Sequence, residues 1–371
     1  MKLKHFWKQG FGLIALLLGL WLVVDLVSHL VAEIFWFKEV GYLTAFLLRL
    51  KTQFILGAIA FLLTATFLLG NLTLAARLKY PSIDSGASLI LPNQKTLNPH
   101  PPWQEKLQEA VIPKNGVTWR WLLPIVMLLS LILGLMLLSY GQMILGFWHN
   151  NISVTAITPS VPSLFKVSSI FQQLQDIKSK LPVITNLQQW QQILVQIGQL
   201  ILLVGIILAI AINHQFVLSA IALSLSLFYT LVLSSNWSKF LLYFQPTAFN
   251  TIDPLFKNDI SFYIFSLPVW ELLDFWLRGL FLFALIAVIL NYLLSGNSLS
   301  EGKFIGFSQQ QLRHLYCISC LLMFEMAFHH WLARYQLLYS TRGVTYGASY
   351  TDVEVQLRVE TALIFLSSAI A

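Results

Sequence analysis

Three ionisable residues recur at four-residue spacing within an apolar stretch near the start of the chain. The segment WLVVDLVSHLVAEIFWF, residues 21–37, contains Asp25, His29 and Glu33. On a helix these three side chains lie within about 80° of one another, so they share one face. Carboxylates and an imidazole on a membrane-buried face could relay protons, but the same stripe could also join two helices or lie near water.

Depth in the membrane separates these chemistries. If a first span covers residues 11–35, Asp25 lies about 3 Å from the midplane, His29 about 9 Å and Glu33 about 15 Å. Glu33 is then interfacial, whereas an ionised Asp25 exposed to lipid would cost about 3 kcal/mol. We therefore predict that the stripe faces the interior of a helix bundle, with Asp25 protonated or paired to another span. This arrangement favours a helix–helix clamp over a proton path.

A second polar group lies in the apolar stretch 314–334 and consists of Glu325, His329, His330 and Arg334. Glu325 falls near the middle of that stretch, and His329 follows it by one helical turn. Glu325 could pair with a basic residue of a neighbouring helix, which would make it a packing clamp. It could equally take part in a proton relay, and the residues alone do not distinguish the two roles.

The motif HLYCISC places His314, Cys317 and Cys320 along one helical edge, which suggests metal or redox chemistry. Zinc requires about four ligands, and the chain has 2 cysteines. His329 could not complete the site, because it would lie about 22 Å from His314 along the helix axis. We predict buried packing cysteines, no metal and no cofactor.

Enzyme signatures are missing from the sequence. It contains no phosphate-binding loop, no GxSxG nucleophile elbow, no HExxH zinc motif and no dinucleotide-binding glycine pattern after a strand. The sequence therefore favours a protein that is not an enzyme.

The composition is that of a membrane protein. Of 371 residues, 57% are hydrophobic and 11% are charged, and the mean hydropathy is +0.71. Lys2, Lys4 and Lys8 precede an apolar run that is too long for a cleaved signal peptide, so we expect a retained anchor with a cytoplasmic N-terminus. The expected location is the cell membrane.

The polar groups must be positioned by helices long enough to cross a bilayer. We predict an all-α, polytopic transmembrane helix bundle with about seven complete spans, a truncated last one and amphipathic interfacial segments. Within 196–235 the polar triplet Asn213-His214-Gln215 indicates a turn between two spans, since about forty helical residues would be twice too long for one. The candidate spans are 11–35, 52–76, 121–147, the two arms of 196–235, 272–295, 314–333 and the short segment from Glu360.

The segments between the spans differ in chemistry. Residues 77–120 form a basic, proline-rich loop, which we place in the cytoplasm. On the opposite side we expect an amphipathic insertion at 148–195, an aromatic interfacial segment at 236–270 and a loop at 335–358. All of them belong to a single transmembrane unit, residues 1–371.

Four stretches carry a resemblance to a known family. They are WFKEVGY (36–42), NLTLAARLKYP (71–81), NWSKFLLYFQPTAFNTIDPLFKNDISFYIFSLP (236–268) and RYQLLYSTRGVTYGASYTDV (334–353). Together they resemble the bacterial uncharacterised protein family 0182, whose members are multi-pass membrane proteins of no established activity. In this sequence 121–215 looks longer than usual, as if by an extra pair of spans.

The resemblance implies a bundle with a cytoplasmic N-terminus and a large extracytoplasmic domain after the final span. It implies that this chain, which stops about a dozen residues into its last apolar segment, is not a complete functional unit. The family tends to have an acid before the Arg-Tyr pair, where this sequence has Ala333. Arg334 would then need another partner, and Glu325 lies two to three turns away on the same helix.

Two classes of function follow. The first is a non-enzymatic scaffold, assembly or envelope-organising protein, whose partners are the lipid bilayer and membrane or envelope proteins, with no nucleic acid. The second is an ion- or proton-coupled transporter or channel that uses Asp25, Glu325 and the histidines. Transporters built from repeats show internal symmetry, and this sequence has no convincing repeat, so the scaffold is the leading hypothesis.

Overall fold

A computed structural model describes residues 20–21, 24–25, 27–78, 117–149, 187–294, 303–304, 306–340 and 347–371. These residues are almost entirely helical. The elements in chain order are a helix that ends at residue 39 (α1), α2 (Leu43–Arg77), β1 (Val117–Thr118), α3 (Trp119–His149), α4 (Leu187–Ser235), α5 (Trp237–Phe244), a π-helical turn (Phe262–Ser266), α6 (Leu267–Leu293), β2 (Lys303–Phe304), α7 (Gln309–Gln336), a 3₁₀ turn (Leu337–Tyr339), a second π-helical turn (Asp352–Gln356) and α8 (Leu357–Ile370).

Five helical segments of the described chain are long and apolar enough to cross a membrane. They are Leu43–Arg77, Leu122–Tyr140, Ile197–Ser235, Phe262–Leu293 and Gln309–Tyr339. The prediction of an all-α bundle is therefore supported, apart from the two-residue antiparallel pair formed by β1 and β2. The predicted seven complete spans are not confirmed, and about half of the first of them, 11–35, lies outside the described residues.

Helix α4 folds back on itself at Asn213. The backbone of Asn213 is not helical, with φ −143° and ψ 73°. The Asn213 side chain caps the start of the second arm of α4. The backbone N–H of Phe216 donates a hydrogen bond of 3.3 Å to Asn213 Oδ1. This is the geometry of an N-cap, in which a short polar side chain accepts from the first turn of a new helix.

Contacts with α3 show that the two arms are antiparallel. Leu203 Cδ1 lies 2.7 Å from the position that a Cβ on Gly134 would occupy, and the Tyr229 hydroxyl lies 3.1 Å from that of Tyr140. The two α3 positions are about 9 Å apart along their helix, whereas a straight α4 would separate its two residues by about 39 Å. The turn predicted at Asn213-His214-Gln215 is confirmed.

The core of the bundle lies where α6 packs against its neighbours. Helix α6 contacts α2, α3, α4 and α7, while α8 packs on the other side of α7. Four aromatic side chains meet in this core with ring centroids 4.8 to 6.3 Å apart, namely Tyr140, Phe228, Tyr229 and Phe275. They surround Gly279, where an added Cβ would lie 1.8 Å from the Tyr229 hydroxyl, so this close approach requires glycine.

The start of α7 fixes one end of the bundle. Ser308 caps the helix by accepting a hydrogen bond of 3.2 Å from the backbone N–H of Gln311, whose side chain accepts one of 2.9 Å from the Ser308 N–H. The Gln311 amide also donates to the Leu78 carbonyl oxygen at 3.0 Å, just after the end of α2. We call this the Ser308 end of the bundle, and the opposite end of α7 the Tyr339 end.

Candidate functional site: a buried ionic cluster

Four ionisable side chains meet between α6 and α7. Asp274 and Arg278 are one turn apart on α6, and Glu325 and His329 are one turn apart on α7, so each pair presents both members on one face. Arg278 and Glu325 lie close to the middle of the apolar segments Phe262–Leu293 and Gln309–Tyr339. We call Asp274, Arg278, Glu325 and His329 the ionic cluster.

The guanidinium of Arg278 is the centre of this cluster. Its Nη2 donates to both carboxylate oxygens of Asp274, at 2.8 and 2.6 Å, and its Nε donates to Glu325 Oε1 at 3.0 Å. His329 Nδ1 lies 3.3 Å from Asp274 Oδ2 and extends the network on α7. Two of these contacts, from Arg278 to Glu325 and from His329 to Asp274, join the two helices.

The cluster is shielded from its surroundings to different degrees. The exposed fraction of the side chain is 0% for Glu325, 7% for Asp274, 14% for Arg278 and 28% for His329. Glu325 Oε2 is buried and has no hydrogen-bond partner among the described residues. His329 is therefore the most accessible member and Glu325 the least.

The charges within the cluster do not balance when both acids are ionised. Asp274 and Glu325 would carry two negative charges against the single positive charge of Arg278. Uncompensated charge is costly in an apolar interior. Neutrality requires one proton, on a carboxyl group or on His329.

A second ion pair connects α7 to α8. His330 Nδ1 lies 2.8 Å from Glu360 Oε2, and both side chains are largely buried. The rings of His329 and His330 are neighbours, with centroids 5.5 Å apart. The pair therefore adjoins the ionic cluster and ties a third helix to it.

The Ser308 end of the same helices holds a polar group without charged members. His314 Nδ1 lies 2.7 Å from the Tyr292 hydroxyl, and its Nε2 lies 2.8 Å from Asn71 Oδ1. The nearby amide of Asn291 donates to the Leu72 carbonyl oxygen at 3.4 Å. We call His314, Tyr292, Asn71 and Asn291 the histidine–amide cluster; it joins α2, α6 and α7.

An apolar layer separates the two clusters. Between Arg278 and Asn291, α6 contributes buried apolar side chains, and α7 contributes Leu315 and Ile318 between His314 and Glu325. The α6 members of this layer are Leu280, Phe283, Ala284, Ile286, Ala287, Val288 and Leu290. The buried side chains of α6 and α7 between the clusters are all apolar, while Ser319 and Cys320 of α7 are half-buried there.

The structure brings together three of the predicted candidates on α7. The predicted pairing of Glu325 with a basic residue of another helix is confirmed, because Arg278 of α6 is that residue. His329 Nδ1 and His330 Nδ1 lie within hydrogen-bond distance of the carboxylates of Asp274 and Glu360. Sequence analysis missed Asp274 and Arg278, although an acid and an arginine one turn apart in the apolar segment 272–295 were visible.

Arg334 lies apart from this cluster. Its guanidinium carbon is 5.8 Å from the centre of the Phe256 ring, an arrangement that permits cation–π attraction. Glu325, considered as its partner from the sequence, is instead bonded to Arg278. Arg334 therefore belongs to the aromatic region at the Tyr339 end.

The stripe on α1 does not face the bundle. The side chains of Asp25 and His29 are 56% and 80% exposed, and Glu33 is also exposed. Among the described residues, the one close contact within this stripe is the 3.9 Å between Asp25 Oδ1 and His29 Nε2. The prediction of an inward-facing stripe is therefore wrong for this chain by itself. Helical periodicity placed the three residues on one face correctly, but it could not show what covers that face.

The His and Cys side chains of the HLYCISC motif lie in different environments. Cys317 is exposed and Cys320 half-buried, so the prediction of buried packing cysteines is wrong for Cys317. His314 instead turns toward the bundle and belongs to the histidine–amide cluster. Within the described ranges, no group of three or more His, Cys, Asp or Glu side chains is arranged to hold a metal ion.

The aromatic segment before α6 is organised around Asp253. Its carboxylate accepts hydrogen bonds from the backbone N–H groups of Leu255, Phe256 and Asn258 at 2.7 to 3.0 Å, and from the Tyr263 hydroxyl at 2.7 Å. Burial by itself would raise the pKa of Asp253, but these hydrogen bonds outweigh burial and lower it. This is the geometry of an Asx turn, in which an aspartate side chain accepts hydrogen bonds from the backbone N–H groups that follow it.

The remaining predicted segments are described only in part. Most of the cytoplasmic loop 77–120 and of the insertion 148–195 lies outside the described residues, as does 341–346 within the loop 335–358. In the described part of that loop, the backbone N–H and the hydroxyl of Ser349 both donate to Asp352 Oδ2, at 2.9 and 2.8 Å.

A bundle of helices long and apolar enough to cross a membrane, with ionisable groups paired between their central segments, suggests an α-helical membrane protein. Comparison with protein families places the chain more narrowly: residues 11–371 match the model of the Uncharacterised protein family (UPF0182), and the chain belongs to that family. The resemblance seen in the sequence is thereby confirmed.

Curated relatives carry the family name and no further function. A UPF0182 protein of Nostoc is 46% identical over 99% of this chain, one of Trichodesmium erythraeum is 37% identical over 95%, and one of Synechocystis is 32% identical over 98%. These alignments cover 36%, 32% and 34% of the relatives, so the chain spans about a third of their length. No solved structure matches the chain.

Proposed function

We propose that this chain is the membrane-embedded anchor of a non-enzymatic scaffold, assembly or envelope-organising protein. The observation that supports it is the separation of the two polar clusters by an apolar layer. A relay needs titratable or hydrated groups in sequence across the membrane, whereas a clamp needs only groups that satisfy one another between helices. The contacts among Arg278, Asp274, Glu325 and His329 have the second form.

The proposal includes a topology. The N-terminus is cytoplasmic, the chain forms about seven complete spans with the two arms of α4 counted separately, and the Ser308 end of the bundle lies on the cytoplasmic side. Residues 236–270 and 335–358 then lie outside the cell membrane. The partners of this anchor are the lipid bilayer and other envelope proteins.

Cysteine labelling tests this topology. In a variant lacking Cys317 and Cys320, a cysteine placed at Lys95 should resist a membrane-impermeant thiol reagent in intact cells. The same reagent should label a cysteine placed at Lys257. Labelling at position 95 in intact cells would overturn the proposed sidedness.

The second candidate function is a transporter, which is favoured by the position of Glu325 near the middle of its helix. Measurement of proton flux distinguishes the anchor from the transporter. The purified chain is placed in liposomes that contain a pH-sensitive dye, and a pH gradient and a membrane potential are imposed. The anchor predicts proton entry equal to that of protein-free liposomes. Faster entry that is lost in Glu325→Gln and kept in Glu354→Gln, an exposed control, would favour the transporter.

A further measurement tests the assembly role itself. Direct extraction of membranes into lipid nanodiscs should recover the chain with another envelope protein at a fixed stoichiometry that survives dilution. Recovery of the 42.2 kDa chain only as a lone monomer would contradict the role in assembly.

A further inference from the structure

The ionic cluster has one more acidic group than its arginine can balance. Asp274 receives both of its hydrogen bonds from Arg278 through one guanidinium nitrogen and is also approached by His329. Glu325 receives a single bond, at Oε1. The two carboxyl groups are therefore unequal, and Glu325 is the less well compensated.

Burial strengthens the difference between the two acids. The Glu325 side chain has no exposed surface, and its Oε2 has no hydrogen-bond partner among the described residues. An ionised carboxylate with one oxygen uncompensated in apolar surroundings carries a large desolvation cost. Adding a proton to that oxygen removes the charge and leaves the bond from Arg278 to Oε1 in place.

Within the described part of the chain, Arg278 is the one basic side chain that forms a salt bridge with Glu325. From α6 it is faced by Asp274 and Arg278, and Glu271, further toward the Tyr339 end, accepts a hydrogen bond from Gln336. On α7 itself the nearest titratable group is His329, which bonds Asp274. From α8 the charged group is Glu360, which His330 holds.

We propose that the ionic cluster is a binding site for one proton, held on Oε2 of Glu325. The loaded cluster consists of ionised Asp274 paired with Arg278, a neutral Glu325 and a neutral His329, and its net charge is zero. His329 is the most exposed member and lies toward the Tyr339 end of the cluster. This site requires no transport across the membrane, because the apolar layer lies beyond it.

Proton release would leave an uncompensated negative charge between α6 and α7. The folded chain then binds the proton more tightly than the unfolded chain does, so stability must fall as pH rises through the range in which Glu325 loses its proton. The proton therefore acts as a stabilising ligand of the contact between α6 and α7.

Infrared spectroscopy of the full chain in lipid nanodiscs tests the site. At neutral pH the wild type should show the carbonyl stretch of a protonated carboxylic acid. Isotope-labelled glutamate should shift this band, and isotope-labelled aspartate should leave it unchanged. No such band, or a band that shifts only with aspartate, would overturn the proposal without the need for any variant.

Two variants complete the test. Glu325→Gln reproduces the shape of the neutral acid, so it should fold, lose the band and lose the fall in the unfolding midpoint at alkaline pH. Glu360→Gln, a buried acid with its own histidine, should keep the band. If Glu325→Gln failed to fold, or if it kept the pH dependence of the wild type, the assignment to Glu325 would be wrong.

This proton site stands independently of the anchor proposed above. A wild type that shows the band and no proton flux supports both proposals. Flux together with the band would refute only the anchor, and no flux without the band would refute only the proton site.

Discussion

The two ends of the contact between α6 and α7 use different chemistry for the same task. Toward the Tyr339 end the helices are joined by ion pairs around Arg278, whereas at the Ser308 end they are joined by neutral hydrogen bonds around His314. Charged groups hold helices strongly only while every partner is present, because an orphaned buried charge is very costly. Neutral groups lose less when one partner is removed. The two ends should therefore respond very differently to substitution.

Arg278→Met should have the largest effect. It removes the only cation bonded to both Asp274 and Glu325, and breaking a buried ion pair costs about 3–5 kcal/mol of unfolding free energy. Equilibrium unfolding in detergent micelles measures this. The matched control is Arg358→Met, whose pair with Glu354 is exposed and should contribute about 0–1 kcal/mol. Similar losses in both variants would mean that burial adds nothing to the contribution of the Arg278 ion pairs.

Gly279→Ala should have the next largest effect, in the core between the two ends. The new Cβ would lie 1.8 Å from the Tyr229 hydroxyl and 2.4 Å from that of Tyr140, which forces the aromatic group apart. Overpacking of this kind costs about 3 kcal/mol.

Gly205→Ala is the control for this substitution, because nothing lies within 4 Å of its added Cβ. Alanine should be neutral or slightly stabilising there, by about 1 kcal/mol at most, as expected in a helix. A stable Gly279→Ala variant would mean that α6 is not packed closely against α3 and α4.

His314→Leu tests the neutral end and should cost about 2 kcal/mol. It removes two hydrogen bonds, to Tyr292 and Asn71, at about 1 kcal/mol each. Unfolding measured under the same conditions as for Arg278→Met gives the comparison directly. A loss as large as that of Arg278→Met would show that the neutral end is no weaker.

The smallest effect concerns pH and the turn at Asp253. Its pKa is lowered below the ordinary value of 3.8, so its contribution to stability is present above that value and is lost as pH falls through the lower folded pKa. Asp253→Asn should therefore flatten the acid limb of the stability profile, with a loss of about 1 kcal/mol at neutral pH. If the variant lost unfolding free energy at low pH just as the wild type does, other carboxylates would be responsible for that loss.

The sequence predicted those features that depend on local spacing. The turn at Asn213 followed from the length of an apolar stretch compared with the thickness of a bilayer, and a basic partner for Glu325 on another helix was one of the two roles that the cost of an isolated buried acid allowed. The partner of Glu325 could not be derived, because the choice of Arg278 depends on which helices are neighbours. The prediction that Asp25 faces the bundle interior failed for the same reason. Periodicity defines one face of a helix, and only packing decides what covers that face.

The central claim is that the charged and the neutral ends form two separate clamps and not one connected relay. The unfolding free energies of Arg278→Met, His314→Leu and the double variant measure this directly. Sites that lie more than about 10 Å apart without shared partners add within about 0.5 kcal/mol. We predict that the double variant loses the sum of the two single losses within that margin. A departure of more than about 1 kcal/mol from the sum would contradict the account, because it would require the two clusters to be coupled through the apolar layer.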